Sequence, residues 1–301
     1  MLKTQTMYAE EYERNIPLFL IENPIGSVHS LFQNGLNIRM GGRLFFIGTD
    51  KNGKLPFGIH LQKDAIQRLL SSIQAPAAVH WDNDSKELIF EDSNIRVNFQ
   101  KGTPFSNIVP FTKNDRSTQY LDTFIKALAI EGEQTGLDLD IEQFLLEYLR
   151  LQKEKYAASA NEVYRLMDAL SSHDSSEVDR VLRYFLGRGR GLTPSGDDHL
   201  VGLLAIHTIS GICSPLFLQT IQDILLNESV TTDIGREYLL YALKGEFSST
   251  IVNILNCLAE KDRQEEAEKH VLHLLTVGHS SGIDTAFGLL IGLLTMKNWR
   301  K

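Results

Sequence analysis

Two stretches of this chain place serine, glycine and carboxylate in the same order before an apolar run. They are Thr193-Pro-Ser-Gly-Asp-Asp-His-Leu-Val-Gly-Leu-Leu204 and His279-Ser-Ser-Gly-Ile-Asp-Thr-Ala-Phe-Gly-Leu-Leu290. Aligned without gaps they share Ser195/Ser281, Gly196/Gly282, Asp198/Asp284 and Gly202/Gly288. Glycine at the first helical position is about 1 kcal/mol worse than alanine, so Gly196 and Gly282 are expected to expose backbone N–H groups to a ligand. Gly187, Gly189 and Gly191 strip side chains from the approach to the first turn, as loops do where a ligand meets the main chain.

That chemistry is anion binding. Helix N-termini attract anions, but Asp197 and Asp198 repel one placed directly against them. The anion then needs Arg188 or Arg190 beside it, or a divalent cation between it and the carboxylates. In the first case the candidate binding residues are Arg188, Gly189, Arg190, Gly191, Thr193, Ser195 and Gly196, joined from the second turn by Ser280, Ser281, Gly282 and Asp284. The hydroxyls of Thr231 and Thr232 can face the same pocket. In the second case Asp197, Asp198 and Asp284 hold a metal, with magnesium the cofactor to expect. Candidates for acid–base or catalytic work are Asp197, Asp198 and the adjoining His199 and His279.

Each feature also has a purely structural explanation. Ser195 with Asp198, and Ser281 with Asp284, have the S-x-x-D spacing of a capping box. Gly202, Gly288 and Gly292 suit close helix approach, the arginines suit solvated loop charges, and Thr231-Thr232-Asp233 suits an N-cap. His270 and His273 stand at helical spacing without a third ligand in the pattern.

The elements that position these residues follow from periodicity. From Gly26 to about Gln100, short alternating runs (SVHSLF, LNIRM, RLFFIG, AAVHW, ELIF, IRVNF) are separated by Asn34-Gly35, Gly41-Gly42, Asp50-Lys-Asn-Gly53, Asp82-Asn-Asp-Ser85 and Ser93-Asn94, turns that supply positive φ. Only Asp64–Ile73 reads as a helix there. From Tyr120 onward apolar residues recur at three and four through LDTFIKALAI, IEQFLLEYL, VYRLMDAL and their successors, predicting roughly nine helices. The fold class is therefore α+β, an N-terminal mostly antiparallel β domain followed by a C-terminal all-α domain. The expected boundaries are 1–105 for the β-rich domain, 106–118 for a linker with two prolines nearby, and 119–301 for the helical domain.

With 301 residues, 43% hydrophobic and 23% charged, the chain can bury its cores without disulfides. A net charge of −8 with no basic block argues against nucleic acid as a partner. Cys213 and Cys257 form no CxxC pattern and read as core residues of a reducing compartment. The first 24 residues hold one five-residue apolar run, too short for a signal peptide, and Ala286–Leu294 is too short to span a bilayer. A cytoplasmic protein without a membrane segment is expected.

GRGRGLTPSGDDHLVGLL, TTDIGREYLLYALKGEFSSTIVNIL and VGHSSGIDTAFGLLIGLL resemble the signature blocks of the AllH-like family, with SVHSLFQNGLNIRM and LPFGIHL similar to its N-terminal part. The resemblance implies a subunit of bacterial oxamate carbamoyltransferase, working with other carbamoyltransferase subunits in allantoin and purine breakdown. It implies small anionic substrates: phosphate, carbamoyl phosphate, oxamate or oxalurate. The chain departs from the family pattern at Arg188 and Arg190, where a small or apolar residue and a proline are usual. The paired Gly-x-Asp turns are also similar to the magnesium-binding turns of ADP-ribosylglycohydrolases, which would make this a metal-dependent hydrolase. A third reading is a non-catalytic assembly subunit whose turns only cap helices.

Overall fold

The computed structural model describes residues 4–113, 116–131, 134–150 and 158–298. The chain divides into two compact units, Met1–Asn107 and Ile108–Lys301.

The first unit is a curled mixed sheet of ten strands: β1 (Gln5–Tyr8), β2 (Glu11–Glu13), β3 (Ile25–Phe32), β4 (Gly35–Met40), β5 (Arg43–Gly48), β6 (Gly58–His60), β7 (Ala78–Asp82), β8 (Glu87–Phe90), β9 (Ile95–Asn98) and β10 (Thr103–Phe105). Their order is β1-β9-β8-β7-β3-β4-β5-β6-β2-β10. Hairpins carry the centre, where β3, β4 and β5 are successive antiparallel neighbours. Parallel pairing occurs only at β1·β9, β5·β6 and β2·β10 among the described residues. Central β4 is buried along most of its length, with Leu36, Ile38 and Met40 inaccessible. Two helices accompany the sheet, α1 (Ile16–Glu22) and α2 (Lys63–Ser72), and α2 buries Ala65, Ile66 and Leu69 on one face.

The turns supply positive φ at Gly41, Gly42, Gly53 and Asn94, as their residue types require. Two expected turns differ. Gly35 opens β4 instead of taking a positive φ, and after Asp82 the positive φ falls on Lys86.

The second unit is all helix: α3 (Leu121–Glu131), α4 (Ile141–Arg150), α5 (Ala158–Ala169), α6 (Ser175–Phe185), α7 (Ser195–Ser210), α8 (Pro215–Asn227), α9 (Asp233–Ala242), α10 (Ser249–Ala259), α11 (Gln264–Leu275) and α12 (Ser281–Asn298). Ten helices among the described residues replace the nine expected. Local signals set several ends. Asp174 caps α6 by accepting from Ser176 and Glu177 N–H, Ser214 caps α8 ahead of Pro215, and Gly211 at φ 74° stops α7. Within the segment read as a linker, Val109 N–H donates to the Gly245 carbonyl (2.8 Å) and Thr112 N–H to that of Thr208 (2.9 Å).

The middle of this unit is α7 against α12. α7 is buried from Ser195 to Ile209, and α12 is buried around Ala286–Leu294. The two helices run parallel: His199 lies against Asp284 and Gly288, and Ile206 against Gly292. Their closest approach is backbone to backbone through Gly202 and Gly288. A methyl on Gly202 would overlap the Thr285 carbonyl and stand 2.8 Å from Leu289 N, and one on Gly288 would stand 2.9 Å from the His199 carbonyl carbon. Main chain cannot yield as a flexible side chain can. Gly202→Ala is therefore expected to lower stability by about 1–3 kcal/mol, read from urea denaturation. An unchanged midpoint would mean that the two backbones can part at this seam without cost.

Candidate functional site

The parallel pairing puts the two Ser-Gly-x-Asp turns at the same end of the helix pair, and a third segment closes over them. Gln134 and Asp140 bridge a short loop that carries Gly136 onto the junction. The Gly136 N–H donates to Asp284 Oδ1 (2.8 Å). A methyl on Gly136 would overlap Ser195 Oγ and stand 2.9 Å from Ser280 Oγ and 3.0 Å from Asp284 Oδ2. One small residue thus touches both turns.

Neither turn is the capping box its spacing suggests. The N-cap of α7 is Pro194, without a side-chain cap hydrogen bond, and Ser195 is already inside the helix. The first amides find main-chain partners instead: Gly196 N–H donates to the Arg188 carbonyl (2.8 Å) and Asp197 and Asp198 N–H to that of Pro194. Gly282 N–H donates to the Val277 carbonyl (3.0 Å). Gly196 and Gly282 are glycines for packing rather than for exposed backbone, because a Cβ on either would collide with the Phe185 or Leu274 carbonyl.

The carboxylates released from capping have other partners. Asp197 accepts from Gly187 N–H (2.8 Å) and from the Thr231 hydroxyl, so it ties the glycine loop and the start of α9 to α7. Burial pushes its pKa up to about 6 against those two hydrogen bonds. Asp198 is hydrogen-bonded across the junction by Ser281 and from its own loop by Thr193, yet burial, aided by the charges of Asp284 and Asp197, raises its pKa well above the ordinary value. Burial thus favours the protonated form of Asp198.

His199 is fully buried between Phe185 and Phe287, whose ring centroids lie 6.2 and 5.3 Å from its own. Its Nδ1 meets the Ser195 carbonyl and stands 3.8 Å from Asp284 Oδ1. Burial lowers its pKa, opposed by Asp284 and the Ser195 carbonyl. The ring is therefore neutral with its proton on Nδ1, which leaves Nε2 an acceptor. Among the described residues, three buried polar atoms at this junction have no hydrogen-bond partner: Asp198 Oδ2, His199 Nε2 and Asp284 Oδ2.

The rim divides into committed and uncommitted groups. Arg188 lies over the Tyr184 ring (4.0 Å to its centroid), with its Nε donating to the Tyr184 carbonyl (2.7 Å). Thr232 caps α9 through Gly235 N–H and donates to the Leu192 carbonyl (2.6 Å). Arg190 and His279 are exposed, and no hydrogen bond or ion pair holds either among the described residues. Asp197, Asp198 and Asp284 do not form a three-ligand cluster; among the described residues Cys257, Glu266 and His270 do.

Sequence reasoning missed Gly136 and Tyr238. Gly136 sits in TGLDLD, an ordinary turn composition far from either block, and only the tertiary fold brings it in. Burial raises the pKa of Tyr238 of α9, and an ionised Asp198 would raise it further, which places the two side chains at the same junction. Its place in a helical apolar pattern gives no hint of this.

Two family models match this α+β chain. One, the AllH family N-terminal domain, matches residues 9–104; the other, oxamate carbamoyltransferase subunit AllH, matches residues 185–293 and so spans both turns. The chain belongs to the AllH family. Membership brings a subunit role, with other subunits of the transferase as partners. No solved structure matches the chain, and no described helix is long and apolar enough to cross a membrane.

Proposed function

We propose that this chain binds the amide end of oxamate or oxalurate at the α7–α12 junction, within a complex that transfers a carbamoyl group between that substrate and phosphate. The observation that carries the reading is the trio of unpartnered buried atoms on the two turns. A buried polar group left unpaired costs about 1–3 kcal/mol, so three together call for a ligand of matching pattern. Protonated Asp198 is a donor, and His199 Nε2 and Asp284 Oδ2 are acceptors. The amide of the oxamate half offers the complement, its carbonyl to Asp198 and its nitrogen-bound hydrogens, two in oxamate and one in oxalurate, to the acceptors. The carboxylate at the other end of such a substrate needs a cation at the rim, and Arg190 is the uncommitted one.

In the forward reaction a phosphate oxygen bonds to the carbamoyl carbon of oxalurate, the carbon–nitrogen bond to the oxamate half breaks, and that nitrogen takes a proton. Negative charge develops on the leaving amide. A neutral acid aimed at its carbonyl stabilises that charge without first having to lose a proton. The partner subunits supply the phosphate site. Magnesium held by Asp197, Asp198 and Asp284 is the competing reading, as in a metal-dependent hydrolase, and it lacks a three-ligand cluster at these residues.

Arg190→Ala is expected to weaken oxamate binding by about 1.5–3 kcal/mol, the range for a hydrogen bond to a charged group. Arg188→Ala, which removes a side chain stacked on Tyr184, should leave binding unchanged. Calorimetric titration with oxamate and with phosphate, on the chain and on the assembled complex, reads both. Equal affinity in Arg190→Ala and the unmodified protein would sink the rim assignment.

A further inference from the structure

A second cluster of ligating side chains lies where α10 turns into α11. Cys257 is near the end of α10, and Glu266 and His270 stand at i and i+4 on α11, which puts both on one face of that helix. One ligand atom from each of the three lies within 4.8 Å of the others. The reversal that brings them together is fixed. Asp262 takes φ 60°, and the Tyr120 hydroxyl donates to the Glu260 carbonyl (2.8 Å) while accepting from Arg263 N–H (3.3 Å). Cys257 is buried, His270 is half-buried and Glu266 is exposed, so the cluster has a closed floor and an open side.

We propose that Cys257, Glu266 and His270 form a binding site for a borderline-soft divalent cation of the zinc class, with water at the fourth position. Sulfur and imidazole ligands select against magnesium and calcium, and three protein ligands with an open position are the usual arrangement for a reactive zinc. Arg263 serves as the outer partner. Its Nε donates to Glu266 Oε2 (2.8 Å), it also pairs with Glu260 (3.0 Å), and so it orients the carboxylate that would ligate. Charge balances as well: Glu260, Glu266 and a Cys257 thiolate contribute three negative charges, and Arg263 and the dication three positive. Binding displaces the thiol proton to solvent.

The test uses the full chain stripped of metal. Zinc titration with a competing chelator is expected to give one tight site, and cobalt in its place to show the sulfur-to-cobalt charge-transfer absorption that only thiolate ligation produces. Removing a ligand should cost more than the roughly 10–100-fold typical of an outer partner, so Cys257→Ser and His270→Ala should each weaken zinc more than about a hundredfold. Asp284→Asn should leave it unchanged. His270 is part-exposed, so its replacement keeps the fold even where Cys257→Ser does not. No stoichiometric zinc, a cobalt spectrum without the charge-transfer absorption, or undiminished affinity in His270→Ala would each overturn the assignment and leave Cys257 a core residue and Glu266 a partner of Arg263.

Discussion

Asp198→Ala is expected to lower the rate of oxalurate phosphorolysis by the assembled transferase about 10²–10³-fold, the loss typical of removing one preorganised donor from a site of developing charge. Asp198→Asn is expected to keep most of the rate. The reason lies in the protonation state. Asp198 is buried, flanked by Asp284 and Asp197, and its pKa is raised well above the ordinary carboxylate value. On the proposed reading the working form is a neutral group that donates, and an asparagine amide of the same shape also donates. An ionised Asp198, whether a base or a magnesium ligand, predicts the opposite ranking, because the amide is neither base nor good cation ligand. Rates with and without magnesium, beside thermal melting of each variant, separate the two. Asparagine as inactive as alanine would reject the neutral-donor role while leaving the fold assignment untouched.

Stability is expected to fall as pH rises from about 4 to about 6, and Asp197→Asn should remove part of that fall. Burial holds the pKa of Asp197 at about 6 in the folded chain, against 3.8 for an unperturbed aspartate. Between those values the folded chain holds a proton that the unfolded chain has released, so raising the pH favours unfolding. That displacement corresponds to at most about 3 kcal/mol, lost in full above pH 6. Asparagine keeps an acceptor for Gly187 N–H and carries no charge to desolvate. The gap between the variant and the unmodified chain in urea denaturation should therefore be larger at about pH 8 than at about pH 4. An equal gap at both would show that Asp197 stays ionised throughout.

The most legible part of this molecule was the repeat itself. Ser195-Gly196 and Ser281-Gly282 do open two adjacent helices, and Gly202 and Gly288 do form their seam, because a shared pattern of small residues records a backbone contact directly. Six strands and α2 were legible too, from alternation between turn residues. β1, β2, β6 and β10 were not: they pair in parallel or with partners remote in sequence, so no hairpin turn announces them as it does the equally short β8 and β9. The capping box misled for a similar reason. It is a local rule, and here the Arg188 carbonyl, brought round by the glycine loop, satisfies the Gly196 amide that a side chain would otherwise have taken. Asp198 was thereby free to face Ser281, a contact between distant blocks that spacing within one block cannot encode.

Parallel pairing of α7 and α12 also imposes an order on folding. Two antiparallel helices can close through a short loop, but after the 16 residues of α7 the chain has climbed about 24 Å and must return to the starting end before α12 can begin. Residues 211–280, with α8 to α11, make that journey. The junction is thus a contact of high sequence separation, and such contacts form late because their loop must close first. Until α12 arrives, α7, apolar and destined for burial on every side, has no companion along its seam. A ribosome-bound chain that ends before residue 281 therefore has no site and leaves the α12-facing side of α7 uncovered, and it is this intermediate, rather than the finished protein, that most needs a chaperone or an early-binding partner subunit.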